Sequence, residues 1–191
     1  MSDSRTGFKI DRRTGILNEA KFLLSPNHDQ RPEPADISGI VLHNISLPPG
    51  QFNGDWITDL FLNRLDPGAH PYFEAIASMR VSAHLLIRRN GELIQYVPFH
   101  LRAWHAGESC WNGRQRCNDF TVGIELEGDD HSAFETAQYQ SLVEVIQALL
   151  LTYPTLSKSA ITGHEHIAPG RKTDPGPFFD WTALHAALGS D

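Results

Sequence analysis

The sequence predicts an α/β protein, a single domain in which a central mixed β-sheet has helices packed on its faces. Strand and helix patterns are interleaved along the chain, one strand pair is joined by a turn signal, and another strand alternates strictly between apolar and polar residues. At 191 residues, one core suffices, and a chain of this length buries about 70% of the surface it exposes when unfolded.

The elements follow in order. Residues 1–36 are polar and turn-rich ("SPNHDQRPEPAD") and read as an N-terminal arm leading into a domain at 37–191. "SGIVLH" (38–43) is a β-branched apolar run, the pattern of a buried strand. Two short helices are expected next. Trp56, Leu60 and Phe61 mark one; Phe73, Ile76 and Ala77 mark the other, with Pro71 in its first turn, where a missing N–H is harmless. Residues 82–99 read as a hairpin, with Asn90-Gly91 tolerating the positive φ of a type I′ turn. In "FTVGIELEG" (120–128), Phe120, Val122, Ile124 and Leu126 face one way and Thr121, Gly123, Glu125 and Glu127 the other. A long helix is expected with Thr136 as N-cap. Its stripe is Leu142, Val143, Ile146, Leu149, Leu150 and Tyr153, and Pro154 lies just beyond. Asp180 is expected to cap a last helix carrying Trp181, Leu184 and Leu188, closed by Gly189.

Composition narrows the function classes. Net charge is −7 and no Lys/Arg block exceeds two residues, which argues against a nucleic-acid or anionic-membrane partner. No run approaches the ~20 apolar residues of a membrane helix. The start, "MSDSRTGFKIDRRTG", lacks the apolar centre of a secretory signal. Cys110 and Cys117 form no CxxC pattern and are expected to be free thiols in a reducing cytoplasm.

Ten histidines are the unusual count, and two of them fall where a strand end would hold them firmly. His43 closes the apolar run at 38–43, and His164 follows the β-prone "SAIT". Asp174 comes ten residues later, on backbone that Pro175 biases toward the extended region. Two imidazoles and a carboxylate are a donor set for zinc, and a catalytic site leaves a fourth position for water. Spacing does not choose between His164 and His166. Glu125 is the candidate acid–base carboxyl, with Gly123 expected to leave open space beside it; Glu127 shares its face and is not excluded. Lys172, two residues from Asp174, would be near enough to meet a substrate oxygen.

The blocks "VLHNISLPPGQF", "RVSAHLLIRRNGELIQYVPF", "RAWHAG", "RCNDFTVGIELEG" and "TGHEHIAPGRKTDPGP" occur in that order within residues 40–181. Together they closely resemble the zinc N-acetylmuramoyl-L-alanine amidases, in the branch that cleaves anhydromuropeptides during cell-wall recycling. The resemblance implies zinc at the sheet edge, held by His43, His164 and Asp174. It implies Glu125 as the catalytic carboxylate and Lys172 as the residue that stabilises the oxyanion. The implied substrate is an anhydromuropeptide, cut between the muramyl lactyl group and L-Ala. Related peptidoglycan-recognition proteins and phage amidases commonly carry cysteine where this chain has Asp174, so the aspartate fits the recycling branch. His166 departs from the pattern, since many relatives carry an aspartate there.

By the same resemblance, Arg80 and Arg116 are expected to meet stem-peptide carboxylates through guanidinium forks. Asn44 is expected to hydrogen-bond the peptide backbone. Trp104 would offer a flat face to a sugar or sit in the core. His84 and His105 are expected to orient neighbours around the pocket, and residues 47–80 to form a wall or lid. A cytoplasmic monomer is expected. Two other readings compete. A recognition module that binds muropeptide without cutting is opposed by the full ligand set, and an exported amidase acting on intact murein by the missing signal.

Overall fold

The computed structural model describes residues 7–34 and 36–189; residues 1–6 and 35 of the expected arm, and 190–191, lie outside it. Four short strands come first: β1 (Ile10–Asp11), β2 (Ile16–Leu17), β3 (Lys21–Phe22) and β4 (His28–Gln30). Then follow β5 (Gly39–Ile45), α1 (Trp56–Phe61), α2 (Pro71–Ile76), β6 (Leu85–Ile87), β7 (Leu93–Gln95), β8 (Leu101–Ala103), β9 (Cys110–Trp111) and β10 (Arg114–Gln115). The chain ends with β11 (Thr121–Glu127), α3 (Thr136–Thr152), β12 (Ile161–Gly163), α4 (His164–Ile167) and α5 (Trp181–Leu188).

The main sheet runs β12-β5-β11-β6-β7-β3. β5 is parallel to both β11 and β12, β11 is parallel to β6, and β6 is antiparallel to β7, so the sheet is mixed, as expected. Parallel strands need both faces covered, and every residue of β11 is buried. On one face Ile40, Leu42, Val122, Ile124 and Leu126 form one core with Leu142, Val145, Ile146 and Leu149 of α3 and Leu184 and Leu188 of α5. A second core joins Leu86 and Ile94 to Ile57, Leu60 and Phe61 of α1 and Phe73 of α2. A small cluster of Val41, Ala106, Cys117, Phe120 and Ile167 completes the packing.

The described part of the N-terminal arm is built into the domain. β3 pairs with β7 and β4 with β8. Arg31, inside the polar run that reads as an arm leading into the domain, is 2% exposed. Its Nη1 donates to the carbonyls of Asn118 and Asp119, and its Nη2 to those of Phe99 and Thr121. Burial brings its pKa down to about 10, which still leaves it charged at neutral pH. A guanidinium suits this task because its fork of donors serves several carbonyls at once.

Three local expectations change. Among the turn residues only Gly91 takes a positive φ, 85°. The Gly91 N–H donates to the Arg88 carbonyl and the Arg88 N–H to Glu92, which makes a type I turn with a glycine bulge rather than type I′. The N-cap of α3 is Glu135, not Thr136, because Gln138 Oε1 reaches back to accept from the Glu135 N–H at 3.0 Å. The segment from His164 is not all loop, since α4 is one helical turn. Asp180 does cap α5, its Oδ1 accepting from the Ala183 N–H at 2.8 Å.

Arg31→Leu is expected to lower the unfolding free energy by about 3 kcal/mol, because several carbonyls lose their donor together. Urea denaturation measures this, and a loss under about 1 kcal/mol would show that the guanidinium does not pin the arm.

Candidate active site

Register assembles the centre of the site. His43 on β5 pairs with Glu125 on β11, and Gly163 at the end of β12 pairs with Leu42. The residue after Gly163, His164, therefore comes level with His43. Adjacent strands lie about 4.8 Å apart, so residues 43, 125 and 164 form one row across the C-terminal ends of three parallel strands. Asp174 arrives on the loop after α4, where its carbonyl accepts from the Glu165 N–H at 2.9 Å.

Three donor atoms converge there. His43 Nδ1 lies 3.0 Å from His164 Nδ1 and 2.9 Å from Asp174 Oδ2, and His164 Nδ1 lies 3.0 Å from the same oxygen. Both rings are buried, 1% and 2% exposed. His164 Nε2 is 3.0 Å from the Ala106 carbonyl. A carbonyl only accepts, so Nε2 carries the ring proton and Nδ1 of the neutral ring presents a lone pair. That lone pair faces a carboxylate oxygen. Two acceptors at this distance call for a cation, and two imidazoles with one carboxylate are a donor set for zinc. The residues present thus fit the metal that the resemblance implies.

The ionisation of the cluster suits the same task. Burial pushes the pKa of His43 down to about 4, against the pull of Asp174, so this ring is neutral and ready to ligate. His166 stands apart. It is exposed, its Nδ1 accepts from the Gly163 N–H at 3.3 Å, and its ring lies against Trp181.

Glu125 is 8% exposed and, among the described residues, its Oε2 has no hydrogen-bond partner. Burial, then the charge of Asp174, pushes its pKa well above the ordinary value, with Lys172 opposing. A carboxyl so placed is suited to exchanging a proton nearer neutral pH. Glu127, its neighbour on the same face, is committed elsewhere. Its Oε1 accepts from the Asn53 N–H at 2.7 Å and its Oε2 from the Arg89 N–H at 3.0 Å. The open space expected beside Gly123 is filled, because a Cβ there would come within 2.4 Å of His105 Cγ. His84 is not on the cleft lining: its Nδ1 accepts from the Gly123 N–H and its Nε2 donates to the Leu101 carbonyl.

A cleft of about 540 Å³ opens over the cluster, a size suited to a small ligand. His43, Asn44, Trp104, Glu125, Lys172 and Asp174 line it, and Leu60, Phe61, Tyr72, Ile76 and Met79 form an apolar wall. Residues 47–80 thus supply a wall, and Trp104 lines the cleft instead of the core. Asn44 is constrained: its Nδ2 donates to Asp130 Oδ1 at 2.7 Å and to the Pro175 carbonyl at 3.0 Å. Its Oδ1 is the atom left to face a peptide N–H.

Neither expected arginine is on the lining. Arg80 is exposed and donates to the carbonyls of Ser78 and Met79. Arg116 has a left-handed backbone (φ 60°), pairs with Asp119 at 3.2 Å and lines a separate groove beside Cys110 and Gln115. Sequence reasoning missed Asp130, which takes the Asn44 amide on Oδ1 and the Thr173 hydroxyl on Oδ2, tying the end of β5 to the Asp174 loop. In the sequence it is one of two adjacent aspartates in a loop, with no spacing to single it out. A larger groove, about 650 Å³ between α3 and α5, holds none of the converging donors.

A buried carboxyl beside two imidazoles and a second carboxylate, at the strand ends of a mixed sheet, is the equipment of a hydrolase. The chain belongs to the N-acetylmuramoyl-L-alanine amidase family, whose model matches residues 33–177, and within it is an enzyme of the AmpD type. It is 58% identical over 174 residues to the 1,6-anhydro-N-acetylmuramyl-L-alanine amidase AmpD of Citrobacter freundii, covering 91% of this chain and 92% of that one. A crystal structure of a selenomethionine derivative of AmpD superposes with a TM-score of 0.90 at 56% identity, over 94% of this chain and 99% of that one. The amidase AmiD from Escherichia coli, solved with the substrate anhydro-N-acetylmuramic acid-L-Ala-D-γ-Glu-L-Lys, gives a TM-score of 0.59 at 27% identity, over 96% of this chain and 66% of that one.

The two glutamates of β11 should separate by stability. Glu127→Ala is expected to cost about 2–4 kcal/mol, because two backbone N–H groups lose a charged acceptor. Glu125→Ala is expected to leave thermal stability unchanged or raised, because it removes a buried carboxyl oxygen that has no partner. Paired thermal melts check this, and equal losses would show that Glu125 is a structural residue.

Proposed function

We propose that this amidase is zinc-dependent and hydrolyses the amide between the lactyl group of 1,6-anhydro-N-acetylmuramic acid and L-Ala of the stem peptide, in cytoplasmic muropeptide recycling. The observation that carries the reading is the convergence of His43 Nδ1, His164 Nδ1 and Asp174 Oδ2 beside the unpartnered carboxyl of Glu125. The names of the relatives support the substrate, since AmpD of Citrobacter freundii is named for this amide and AmiD was solved with an anhydromuramyl peptide.

His43, His164 and Asp174 would hold the zinc, which when bound would supply Lewis acidity, polarising the scissile carbonyl and lowering the pKa of an attacking water. Glu125 takes the proton of that water on its carboxylate and returns it to the departing L-Ala nitrogen. The ammonium of Lys172, on the cleft lining, faces the oxygen on which negative charge develops. Asn44 Oδ1 accepts from the peptide backbone, and Trp104 with the apolar wall of α1 and α2 holds the sugar and excludes water. Arg80 and Arg116 reach only stem-peptide carboxylates that extend past the lining, so replacing either should raise KM and leave kcat.

Glu125→Ala is expected to keep its zinc and lose about 10²–10⁴-fold in kcat; near-normal turnover would remove Glu125 from the mechanism. The raised pKa of Glu125 also sets a sign. The base must be ionised, so kcat/KM should fall as pH drops through a pKa above the ordinary carboxylate range, and Glu125→Gln should abolish that limb. Removing metal with a chelator should abolish product formation and added zinc restore it, with products read by mass spectrometry. Binding of muropeptide without any cleavage would favour a recognition module, and preference for intact sacculi an exported amidase. Recovery of the protein from the periplasmic fraction would overturn the cytoplasmic setting.

A further inference from the structure

A chain of hydrogen bonds runs from the far nitrogen of His43 to the protein backbone, and its direction can be worked out from the far end. Thr121 Oγ1 lies 2.7 Å from the Cys117 carbonyl. That carbonyl only accepts, so the hydroxyl proton of Thr121 is committed to it. His105 Nε2 lies 3.3 Å from the same Oγ1 and must therefore be the donor. In a neutral imidazole the other nitrogen is then bare. His105 Nδ1 is 2.9 Å from His43 Nε2, so His43 donates from Nε2. Its Nδ1 is left with a lone pair, aimed at Asp174 Oδ2 and His164 Nδ1.

We propose that His105, with Thr121 and the Cys117 carbonyl behind it, is a positioning residue that locks His43 into the tautomer that ligates through Nδ1. The inference rests on the reading of His43, His164 and Asp174 as a metal site. Two further observations support it. The Ala106 carbonyl does the same for His164, so adjacent residues of one segment orient both rings. That segment is itself held, because Asn118 Oδ1 accepts from the backbone N–H groups of both His105 and Ala106. Gly123 is required as well, since any side chain there would collide with the His105 ring. Without the Thr121 hydroxyl, His105 is free to carry its proton on Nδ1 and to present it to His43, which would then hold its own proton on the ligating nitrogen.

Thr121→Val keeps the shape and removes the hydroxyl, Thr121→Ser restores it, and His105→Phe removes the relay. The zinc dissociation constant, by competition with a chromophoric chelator, is expected to rise about 10-fold in Thr121→Val and 10–100-fold in His105→Phe. Thr121→Ser should bind as the parent does. Nitrogen-15 NMR of the zinc-loaded protein should show the His43 proton on Nε2 in the parent and in Thr121→Ser. Circular dichroism keeps misfolded variants out of the comparison. Parent-like affinity in both Thr121→Val and His105→Phe, or a parent His43 protonated on Nδ1, would overturn the relay. Failure of the parent itself to bind zinc would instead overturn the metal site.

Discussion

The parallel pairing of β5 with β11 on one side and β12 on the other decides which side chains share a row at the strand ends. Side chains in register on neighbouring strands project from the same face, so a slip of one residue would put Ile124 or Leu126 beside His43 in place of Glu125. The packing forbids that slip, because Ile124 and Leu126 belong to the core beneath α3. The same alternation that buries the apolar face of β11 therefore aims Glu125 at the site. Core formation and alignment of the cluster are one event, and the chemistry inherits the stiffness of the sheet centre.

The cluster itself is unfavourable as an isolated piece of protein. Bare imidazole nitrogens face a carboxylate, and Glu125 keeps a buried oxygen without a partner. Buried polar atoms are ordinarily satisfied, and Glu127, one turn of the pleat away, shows the ordinary solution in its two backbone N–H donors. The two glutamates share a strand and a face, yet one is saturated and the other left open. Departures of this kind concentrate where a protein binds or reacts, and the surrounding core stabilises them.

Much of the remaining polar structure keeps the cluster from relaxing. Asn118 holds the segment of His105 and Ala106, whose side chain and carbonyl meet the two buried rings. Asp130 and Asn44 hold the loop that delivers Asp174. Arg31 reaches from the N-terminal segment to the carbonyls of Asn118, Asp119 and Thr121, which lie within the same network. Residues far apart in the chain thus act on a few atoms, and the polar opening segment belongs to the support of the site.

The mixed sheet, the two-faced strand at 120–128, the long amphipathic helix and the candidates His43, His164, Asp174 and Glu125 were all legible in the sequence, because period-2 and period-3.6 patterns and strand-end positions are local properties. The recurring motif blocks carried the rest of the reading. Spacing left His164 and His166, and Glu125 and Glu127, undivided; the resemblance chose His164 and Glu125, and only the tertiary structure shows how each pair differs in what distant segments present to it. It also showed Arg31 buried inside a polar run, His105 seated against Gly123, and Asp130 tying two loops together. Each of those depends on hydrogen bonds or close contacts between residues remote in the chain, and a donor's distant partner leaves no mark on the residues beside it.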